Sequence, residues 1–216
     1  MKQALFFDFD GVVLDSVNVK TEAFYEMYLP YGEDIALQAK AYHLHHGGIS
    51  RFEKFRYFEE SLLHRKVSEQ DLQKLGTRFS ELVFEKVLHA PFIEGFPQFI
   101  EACHQHYDCY VVSGTPESEL RLITDKRQLH RYFKGIYGSP AKKTDILASL
   151  IAQHGYDVQQ CYYFGDAMTD LEAAKAHHIR FILVRSSDNR YLEALSDKAI
   201  DSFSDLKLHP SGFLNV

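Results

Sequence analysis

Short apolar runs alternate with longer amphipathic stretches over most of the chain. The runs predict buried strands, because they are apolar at consecutive positions and end at Gly, Asp or Ser. The predicted strands are residues 4–9, 109–113, 135–137, 161–165, 180–184 and a short 198–200. The predicted helices between them are residues 97–106, 117–129, 144–154 and 167–177. Strands that alternate with helices indicate right-handed crossovers and a parallel sheet, so the predicted fold class is α/β.

One region breaks this alternation. Residues 17–90 contain no convincing strand and have a helical pattern rich in Phe, Tyr, Glu and Lys. We therefore predict an inserted α-helical cap domain at 17–90, carried by a core domain of residues 1–16 and 91–216. Open α/β sheets bind ligands at the carboxyl ends of their strands, so an insertion after the first strand lies over the expected site.

The cap segment carries its own helix signals. Ser50 with Glu53 three residues later predicts that a helix begins at Arg51. Aromatic side chains at helical spacing predict the packed interior of the cap. These side chains are Phe24, Tyr28, Phe52, Phe55 and Phe58.

Composition and charge exclude several classes of protein. The chain has 216 residues, a net charge of −6 and no long run of Lys or Arg, which argues against a nucleic-acid or anionic-membrane partner. No stretch approaches the ~20 apolar residues of a membrane span, and acids interrupt the apolar run at the start. Three cysteines without CxxC spacing favour reduced thiols and a cytoplasmic location. The oligomeric state cannot be inferred from these features.

Four acids follow two of the predicted strands. Asp8 and Asp10 end the first strand and project to the same side of it, while Asp166 and Asp170 lie four residues apart after the fourth strand. Taken singly, they could be loop acids or a helix cap and a surface acid. In a parallel sheet, however, these strand ends meet at one edge, where like charges ~4 Å apart repel by ~4 kcal/mol at an effective dielectric near 20. Converging carboxylates therefore need a cation, and an all-oxygen set suits Mg²⁺.

Two further segments are suited to bind an anion. Ser113-Gly114 ends the second strand, and Thr115 is predicted to cap the following helix, so a hydroxyl precedes free amides at a helix start. A capping role alone would also explain this turn. Lys142 and Lys143 precede the next helix, where positive charge opposes the helix dipole. At least one of these lysines is therefore expected to serve another partner.

Together these segments resemble the haloacid-dehalogenase-like hydrolase superfamily. In this sequence the signature reads Asp8-Phe9-Asp10-Gly11-Val12, then Ser113-Gly114, then a lysine, then Gly165-Asp166 with Asp170. The insertion resembles the helical C1 cap of that family, and the layout is similar to its phosphoglycolate phosphatase and β-phosphoglucomutase branch. The resemblance implies a Rossmann-like core with an inserted α-helical cap.

The resemblance also implies roles for individual residues. Asp8 is the expected nucleophile and Asp10 the expected general acid and base. The expected magnesium ligands are Asp8, Asp166 and the main-chain carbonyl of Asp10, with Asp170 in support. Ser113, the amide of Gly114 and a lysine are expected to bind the phosphoryl oxygens. The pattern Gly138-Ser139-Pro140 favours Lys143 over Lys142 as that lysine, although the doublet leaves both open.

The cap holds the candidate specificity residues. Gly48-Ile49-Ser50-Arg51 resembles a substrate-contacting loop of the mutase branch, which implies that Arg51 reaches a second anionic group, with Lys54 assisting. A solvated helix charge is the alternative for each. The closely spaced histidines raise the idea of a zinc site but lack an obvious fourth ligand. They are His43, His45 and His46.

We therefore expect a Mg²⁺-dependent phosphatase that acts on a small soluble phosphate monoester, with a sugar phosphate as one candidate. The main alternative is a phosphomutase that uses the same aspartyl-phosphate under a cap that excludes water. A remote alternative is a binding module that has lost catalysis, but the intact set of acids, serine and lysine argues against it. A dehalogenase is disfavoured by Asp10.

Overall fold

A six-stranded parallel sheet forms the centre of the molecule. The structure, a computed structural model, describes residues 3–208 and 214–215, and the side chains of residues 3–206. The strand order is β3-β2-β1-β4-β5-β6. The strands are β1 (Ala4–Phe7), β2 (Asp108–Pro116), β3 (Gly135–Ser139), β4 (Tyr162–Gly165), β5 (Arg180–Val184) and β6 (Lys198–Ile200). The predicted α/β parallel sheet is thus confirmed, although β1 ends two residues early and β2 runs three residues further than expected. A separate antiparallel pair joins β7 (Lys207–Leu208) and β8 (Leu214–Asn215).

Helices cover both faces of the sheet. They are α5 (Phe96–Cys103), α6 (Glu117–Lys126), α7 (Lys143–His154) and α8 (Met168–Ala176). On one face, under α5 and α6, the ring of Phe7 stacks on that of Phe164 at 4.9 Å between centroids. On the other, under α7 and α8, Phe6 stacks between Tyr110 and Tyr163. Burial of both faces explains why the strands have continuous apolar runs.

Four helices lie between β1 and α5. They are α1 (Val17–Tyr28), α2 (Glu33–His45), α3 (Arg51–Tyr57), which continues into a π-helical turn at Phe58–Leu62, and α4 (Glu69–Leu88). The part of the chain described by the structure has no strand between β1 and β2, so the predicted α-helical insertion is confirmed. None of the helices described here combines the length and the apolar character needed to cross a membrane.

Aromatic packing holds the cap together. The ring of Phe24 contacts those of Phe55, Phe58 and Phe79 at centroid distances of 4.4–5.6 Å. Phe52 lies over Gly76 in the middle of α4, where a Cβ would stand 2.6 Å from its ring. The predicted aromatic interior is therefore present. Helix α3 begins at Arg51 as expected, because the Ser50 hydroxyl accepts a hydrogen bond from an amide in its first turn.

The segments that enter and leave the cap run side by side. The Asp15 amide donates to the Pro91 carbonyl at 2.9 Å, and the Ile93 amide donates to the Val13 carbonyl at 3.1 Å. The domain boundaries at 17–90 stay a prediction. Of the segments assigned to the core, residues 1–2, 209–213 and 216 lie outside the described residues.

Truncating Phe7 tests the sheet core. Phe7→Ala removes a fully buried ring that contacts aromatic side chains of β4 and α5, so we expect the free energy of unfolding to fall by ~3–5 kcal/mol. Leu122→Ala on the exposed side of α6 is the control and should change it by no more than ~0.5 kcal/mol. Denaturant unfolding measures both, and equal losses would contradict the assigned core.

Candidate active site

Carboxylates from β1 and β4 converge at the carboxyl edge of the sheet. Oxygens of Asp8, Asp166 and Asp170 all lie within 4.8 Å of one another. Asp8 is 3% exposed and Asp170 is fully buried. Since β1 and β4 are neighbours in the sheet, the loops that follow them are adjacent, as expected from the sequence. The structure therefore brings three of the four predicted acids into one cluster.

Asp170 organises the loop that carries Asp166. Its Oδ2 accepts hydrogen bonds from the amides of Asp166 at 3.3 Å and Ala167 at 3.1 Å, and its Oδ1 accepts one from the Tyr163 hydroxyl at 3.0 Å. Both oxygens are thus engaged by the protein. Gly11 makes room for Asp166, because its φ is +80° and a Cβ there would lie 2.3 Å from the Asp166 carboxylate. The space left by Gly11 and the hydrogen bonds to Asp170 together set the position of Asp166.

Lys143 supplies the positive charge within the cluster. Its ammonium lies 2.5 Å from Asp170 Oδ1 and 3.1 Å from Asp8 Oδ2, at the first residue of α7. Burial alone would lower the pKa of Lys143, but the charges of Asp170 and Asp8 outweigh it and raise that pKa above its ordinary value. Lys142 is exposed to solvent. Of the two lysines left open by the sequence, the structure brings Lys143 to the carboxylates.

One lysine does not balance three carboxylates. The Oδ1 of Asp8 is buried and has no hydrogen-bond partner. Burial, and then the charges of Asp8 and Asp170, raises the pKa of Asp166 well above its ordinary value. The unpartnered oxygen of Asp8 and the neighbouring carboxylate of Asp166, whose negative charge is destabilised, form a set of oxygen ligands that fits a hard divalent cation. The residues present are therefore suited to hold a metal ion.

Asp10 lies in a separate hydrogen-bond network. Its carboxylate accepts hydrogen bonds from the hydroxyls of Ser16 at 2.6 Å and Thr115 at 2.9 Å, and it forms an ion pair with Lys20. The Lys20 ammonium also donates to the Thr115 hydroxyl at 2.6 Å. Burial alone would raise the pKa of Asp10, but the charge of Lys20 and these hydrogen bonds lower it below its ordinary value. Asp10 is thus held in its ionised form.

The three partners of Asp10 in this network, Ser16, Thr115 and Lys20, were not predicted. Thr115 does not cap a helix as expected: β2 extends to Pro116, α6 begins at Glu117, and the hydroxyl turns to Asp10 instead. Lys20 was not singled out. Its position in the first turn of α1, ten residues after Asp10, is the signal that could have drawn attention to it, because α1 is the first helix after β1.

A loop of the cap contacts the turn at Ser113 and Gly114, which the sequence predicts to bind phosphate. Ser113 is buried, and its hydroxyl accepts a hydrogen bond from the Thr115 amide at 3.3 Å. The carbonyl of Gly48 lies 2.3 Å from where a Gly114 Cβ would be, so the cap loop rests on this glycine. The Thr169 hydroxyl donates to the Gly47 carbonyl at 3.2 Å. Beneath the loop is a cavity of about 310 Å³ lined by core and cap, which suits a small molecule.

Arg51 connects the cap to the core. It is 5% exposed, and its guanidinium binds both carboxylate oxygens of Glu119 on α6, at 2.8 and 2.9 Å. It also donates to the Ser80 hydroxyl on α4 at 2.8 Å. Arg51 and Lys54 are both buried and line the cavity, so neither is a solvated helix charge. The role of Arg51 toward a substrate anion stays a prediction, and the structure adds that Glu119 already balances its charge.

The three histidines at the end of α2 do not form a metal site. His43 is buried against Lys54, whereas His45 and His46 are exposed and the ring of His46 stacks on Tyr42 at 3.9 Å. Within the residues described, the aspartate cluster is the one group of His, Cys, Asp or Glu side chains close enough together to hold a metal.

A model of the haloacid dehalogenase-like hydrolase family matches residues 5–184. The chain belongs to this family. It is therefore an enzyme of the hydrolase class, and the resemblance found in the sequence is confirmed. A search of curated proteins finds no match.

Solved structures with the same fold include members of the expected branch. β-Phosphoglucomutase from Clostridium difficile superposes with a TM-score of 0.76 at 17% identity, covering 96% of this chain and 94% of its own. CbbY from Rhodobacter sphaeroides, in complex with xylulose-1,5-bisphosphate, superposes with a TM-score of 0.73 at 19% identity, and the match covers 99% of both chains. A predicted phosphoglycolate phosphatase from Haemophilus somnus gives 0.72 at 16% identity, covering 94% of this chain and 96% of its own. At these identities the likeness concerns the fold.

The Arg51–Glu119 pair yields a stability prediction. Glu119→Gln leaves a buried guanidinium without its counter-charge, so we expect the free energy of unfolding to fall by ~3–5 kcal/mol at neutral pH. Burial would raise the pKa of Glu119, but the hydrogen bonds and charge of Arg51 lower it below 4.5. The ion pair therefore stabilises the protein fully above about pH 4.5, and this stabilisation is lost as the pH falls through the lowered pKa of Glu119.

Thermal unfolding as a function of pH measures this effect. The difference in melting temperature between the wild-type protein and Glu119→Gln should shrink as the pH falls below about 4.5. Glu85→Gln, at an exposed position of α4, is the control and should match the wild type throughout. A difference that stays constant down to pH 3 would show that the ion pair is not its source.

Proposed function

We propose that this hydrolase removes the phosphoryl group from a small phosphate monoester, with Asp8 as the nucleophile and Mg²⁺ as the cofactor. The observation that carries the proposal is the environment of Asp8. One of its oxygens is bound to Lys143, while the other is buried and unpartnered at the edge of the cavity. A desolvated carboxylate of this kind is expected where phosphorus is attacked.

The proposed reaction has two displacements at phosphorus. In the first, an Asp8 oxygen bonds to phosphorus, the bond to the ester oxygen breaks, and Asp8 becomes an aspartyl-phosphate while the alcohol leaves. In the second, water attacks the phosphorus, the bond to Asp8 breaks, and inorganic phosphate is released. The nucleophile is thereby restored.

Asp10 is proposed to move the protons. It takes a proton from the attacking water in the second displacement, and the carboxyl group protonated in this way gives that proton to the ester oxygen that leaves in the next turnover. The contacts from Lys20, Ser16 and Thr115 stabilise its ionised form, which is the form required when water attacks. Thr115 and Lys20 thus keep Asp10 in the ionised form that accepts a proton in the second displacement.

The remaining groups are proposed to balance charge. Asp8, Asp166 and the main-chain carbonyl of Asp10 would hold Mg²⁺, which when bound neutralises the phosphoryl oxygens and orients them. Lys143, the Ser113 hydroxyl and the Gly114 amide would bind the same oxygens as their charge grows. Asp170 supports the set, because it holds Lys143 and the loop of Asp166.

The substrate is proposed to be a small phosphorylated metabolite. A cavity of about 310 Å³ beneath the cap suits a molecule of a few carbons. CbbY of Rhodobacter sphaeroides, which shares the fold, binds a sugar bisphosphate, so a sugar phosphate is one candidate. We propose the cytoplasm as the site of action, in keeping with three buried cysteines that are all unpaired.

A phosphomutase is the second candidate. The cap loop lies directly on Gly114 and covers this side of the cavity, an arrangement that would limit the access of water to an aspartyl-phosphate. The two functions are separated by their products from a sugar phosphate. Release of inorganic phosphate supports the phosphatase, whereas formation of an isomer without release supports the mutase.

Asp8→Asn tests the nucleophile. The amide cannot form the acyl-phosphate, so turnover of a phosphate-ester panel with Mg²⁺ should fall by at least about 10⁴-fold. Asp145→Asn on the exposed side of α7 is the matched control and should keep full activity. Circular dichroism establishes that both variants fold, and undiminished phosphate release by Asp8→Asn would remove Asp8 from this role.

Asp166→Asn tests the metal site independently of activity. In the wild-type protein, Mg²⁺ should raise the melting temperature, because it binds the native state and relieves the carboxylate repulsion. The variant should lose at least about tenfold in Mg²⁺ affinity, measured by calorimetry, as expected for the removal of one charged ligand. Asp201→Asn, at an exposed position, should bind Mg²⁺ like the wild type. Equal affinity in all three would exclude Asp166 as a ligand.

A further inference from the structure

Asn189 is a buried polar residue in the loop that follows β5. It is 5% exposed and belongs to one wall of the cavity. It stands directly before a 3₁₀-helical segment, Arg190–Leu195, a position where an asparagine side chain ordinarily caps the helix start. The Asn189 side chain makes no such capping bond. The mechanism proposed above does not use this residue.

The Asn189 side chain binds the backbone at two neighbouring strand ends. Its amide nitrogen donates to the carbonyl of Asp166 at 2.9 Å and to that of Val184 at 2.9 Å. Its amide oxygen accepts a hydrogen bond from the backbone N–H of Ser186 at 2.8 Å. Val184 ends β5, and Asp166 follows β4, the strand paired with it. Asn189 thus ties the loop of Asp166 to the end of the next strand.

The peptide group that joins Asp166 to Ala167 is held from both sides. Its carbonyl accepts the hydrogen bond from Asn189, and its N–H donates to Asp170 Oδ2 at 3.1 Å. Because a peptide group is planar and rigid, fixing its oxygen and its nitrogen fixes the orientation of the whole unit. The backbone from which the Asp166 side chain extends is therefore restrained by two side chains remote from each other in sequence.

This restraint matters because the Asp166 carboxylate is not itself held by hydrogen bonds. Among the residues that the structure describes, the hydrogen bonds of Asp166 all involve its main chain. One of its carboxylate oxygens lies within 4.8 Å of oxygens of Asp8 and Asp170, so charge repulsion favours movement of the side chain away from them. A cation would have to bring a displaced carboxylate back, and its affinity would be lower for that reason.

We propose that Asn189 is a positioning residue for the metal site: by holding the carbonyl of Asp166, it keeps the Asp166 carboxylate beside Asp8 in the arrangement that binds Mg²⁺. This inference rests on the metal site proposed above and adds to it a residue from a third strand end. Asn189 acts through Asp166, because a ligand that is already in place binds a cation more tightly than one that must be moved.

Asn189→Ala tests this role by the binding of Mg²⁺, measured by calorimetry. We expect the affinity to fall about tenfold, the loss that typically follows removal of a residue that orients a metal ligand. Ser202→Ala is the matched control. Ser202 is also buried, also stands before a 3₁₀ turn and donates to a remote carbonyl, that of Glu94, at 3.0 Å, but it does not line the cavity. It should bind Mg²⁺ like the wild type, and equal affinity in Asn189→Ala would overturn the inference.

Melting temperatures with and without Mg²⁺ separate positioning from a purely structural role. A structural role alone would lower both melting temperatures of Asn189→Ala by the same amount. The proposed role predicts a smaller Mg²⁺-induced rise than in the wild type, because less of the cation binds the native state. Ser202→Ala should keep the full rise. Asn189→Ser, which retains a polar side chain, provides a second folded variant, and a full rise in either Asn189 variant would contradict the proposal.

The Mg²⁺ dependence of phosphate release gives a further readout. In Asn189→Ala the Mg²⁺ concentration for half-maximal turnover should rise about tenfold, and excess Mg²⁺ should recover turnover that is lost at low Mg²⁺. Turnover that no concentration of Mg²⁺ recovers would be inconsistent with an action through the metal ligand.

A double variant shows whether Asn189 acts through Asp166. In the Asp166→Asn protein, adding Asn189→Ala should weaken the remaining Mg²⁺ binding by less than about twofold, because the ligand that Asn189 positions is already lost. A second tenfold loss would mean that Asn189 acts on another group, and the inference would be wrong.

These measurements also separate the inference from the proposed metal site. If the wild-type protein does not bind Mg²⁺, or if Asp166→Asn binds it equally well, the proposed site fails and the role of Asn189 fails with it. If Asp166→Asn loses affinity and Asn189→Ala does not, the proposed site stands and the role of Asn189 alone is excluded.

Discussion

The repulsion between carboxylates at the ends of β1 and β4 is the constraint on which the site depends. Asp8, Asp166 and Asp170 lie too close together to be ionised without compensation, and Lys143 balances only part of their charge. The parallel sheet enforces this proximity, because its two central strands end side by side. The repulsion lowers the stability of the folded protein at this edge, and a cation bound between the carboxylates would relieve it.

The two carboxylates nearest the start of the chain are held in opposite ways. Asp8 keeps one oxygen without a hydrogen bond, whereas Asp10, two residues later, is surrounded by Ser16, Thr115 and Lys20. One environment leaves a carboxylate oxygen without a partner, and the other stabilises the ionised form of a carboxylate. Two identical side chains thus differ in their electrostatic environment because of what the neighbouring elements donate to each.

Much of the fold and of the carboxylate cluster could be predicted from the sequence, because both depend on local patterns. Apolar runs mark buried strands, and acids that follow adjacent strands must meet at one edge. The turn at Thr115 was predicted wrongly, since a hydroxyl before a helix is compatible with capping and with a partner remote in sequence. Lys20 and the pairing of Arg51 with Glu119 were missed for the same reason: which polar groups meet across the cap and the core depends on how two packed bodies are oriented.

The contact between the cap loop and Gly114 has a consequence for the timing of the catalytic cycle. Any movement of the cap away from the core lifts Gly48 from Gly114 and separates the pair formed by Arg51 and Glu119. Both events uncover polar groups that are satisfied in the closed state, so opening is an activated step. Any exchange of substrate for product that requires this movement can be no faster than the opening itself, so the opening rate then sets an upper limit on turnover.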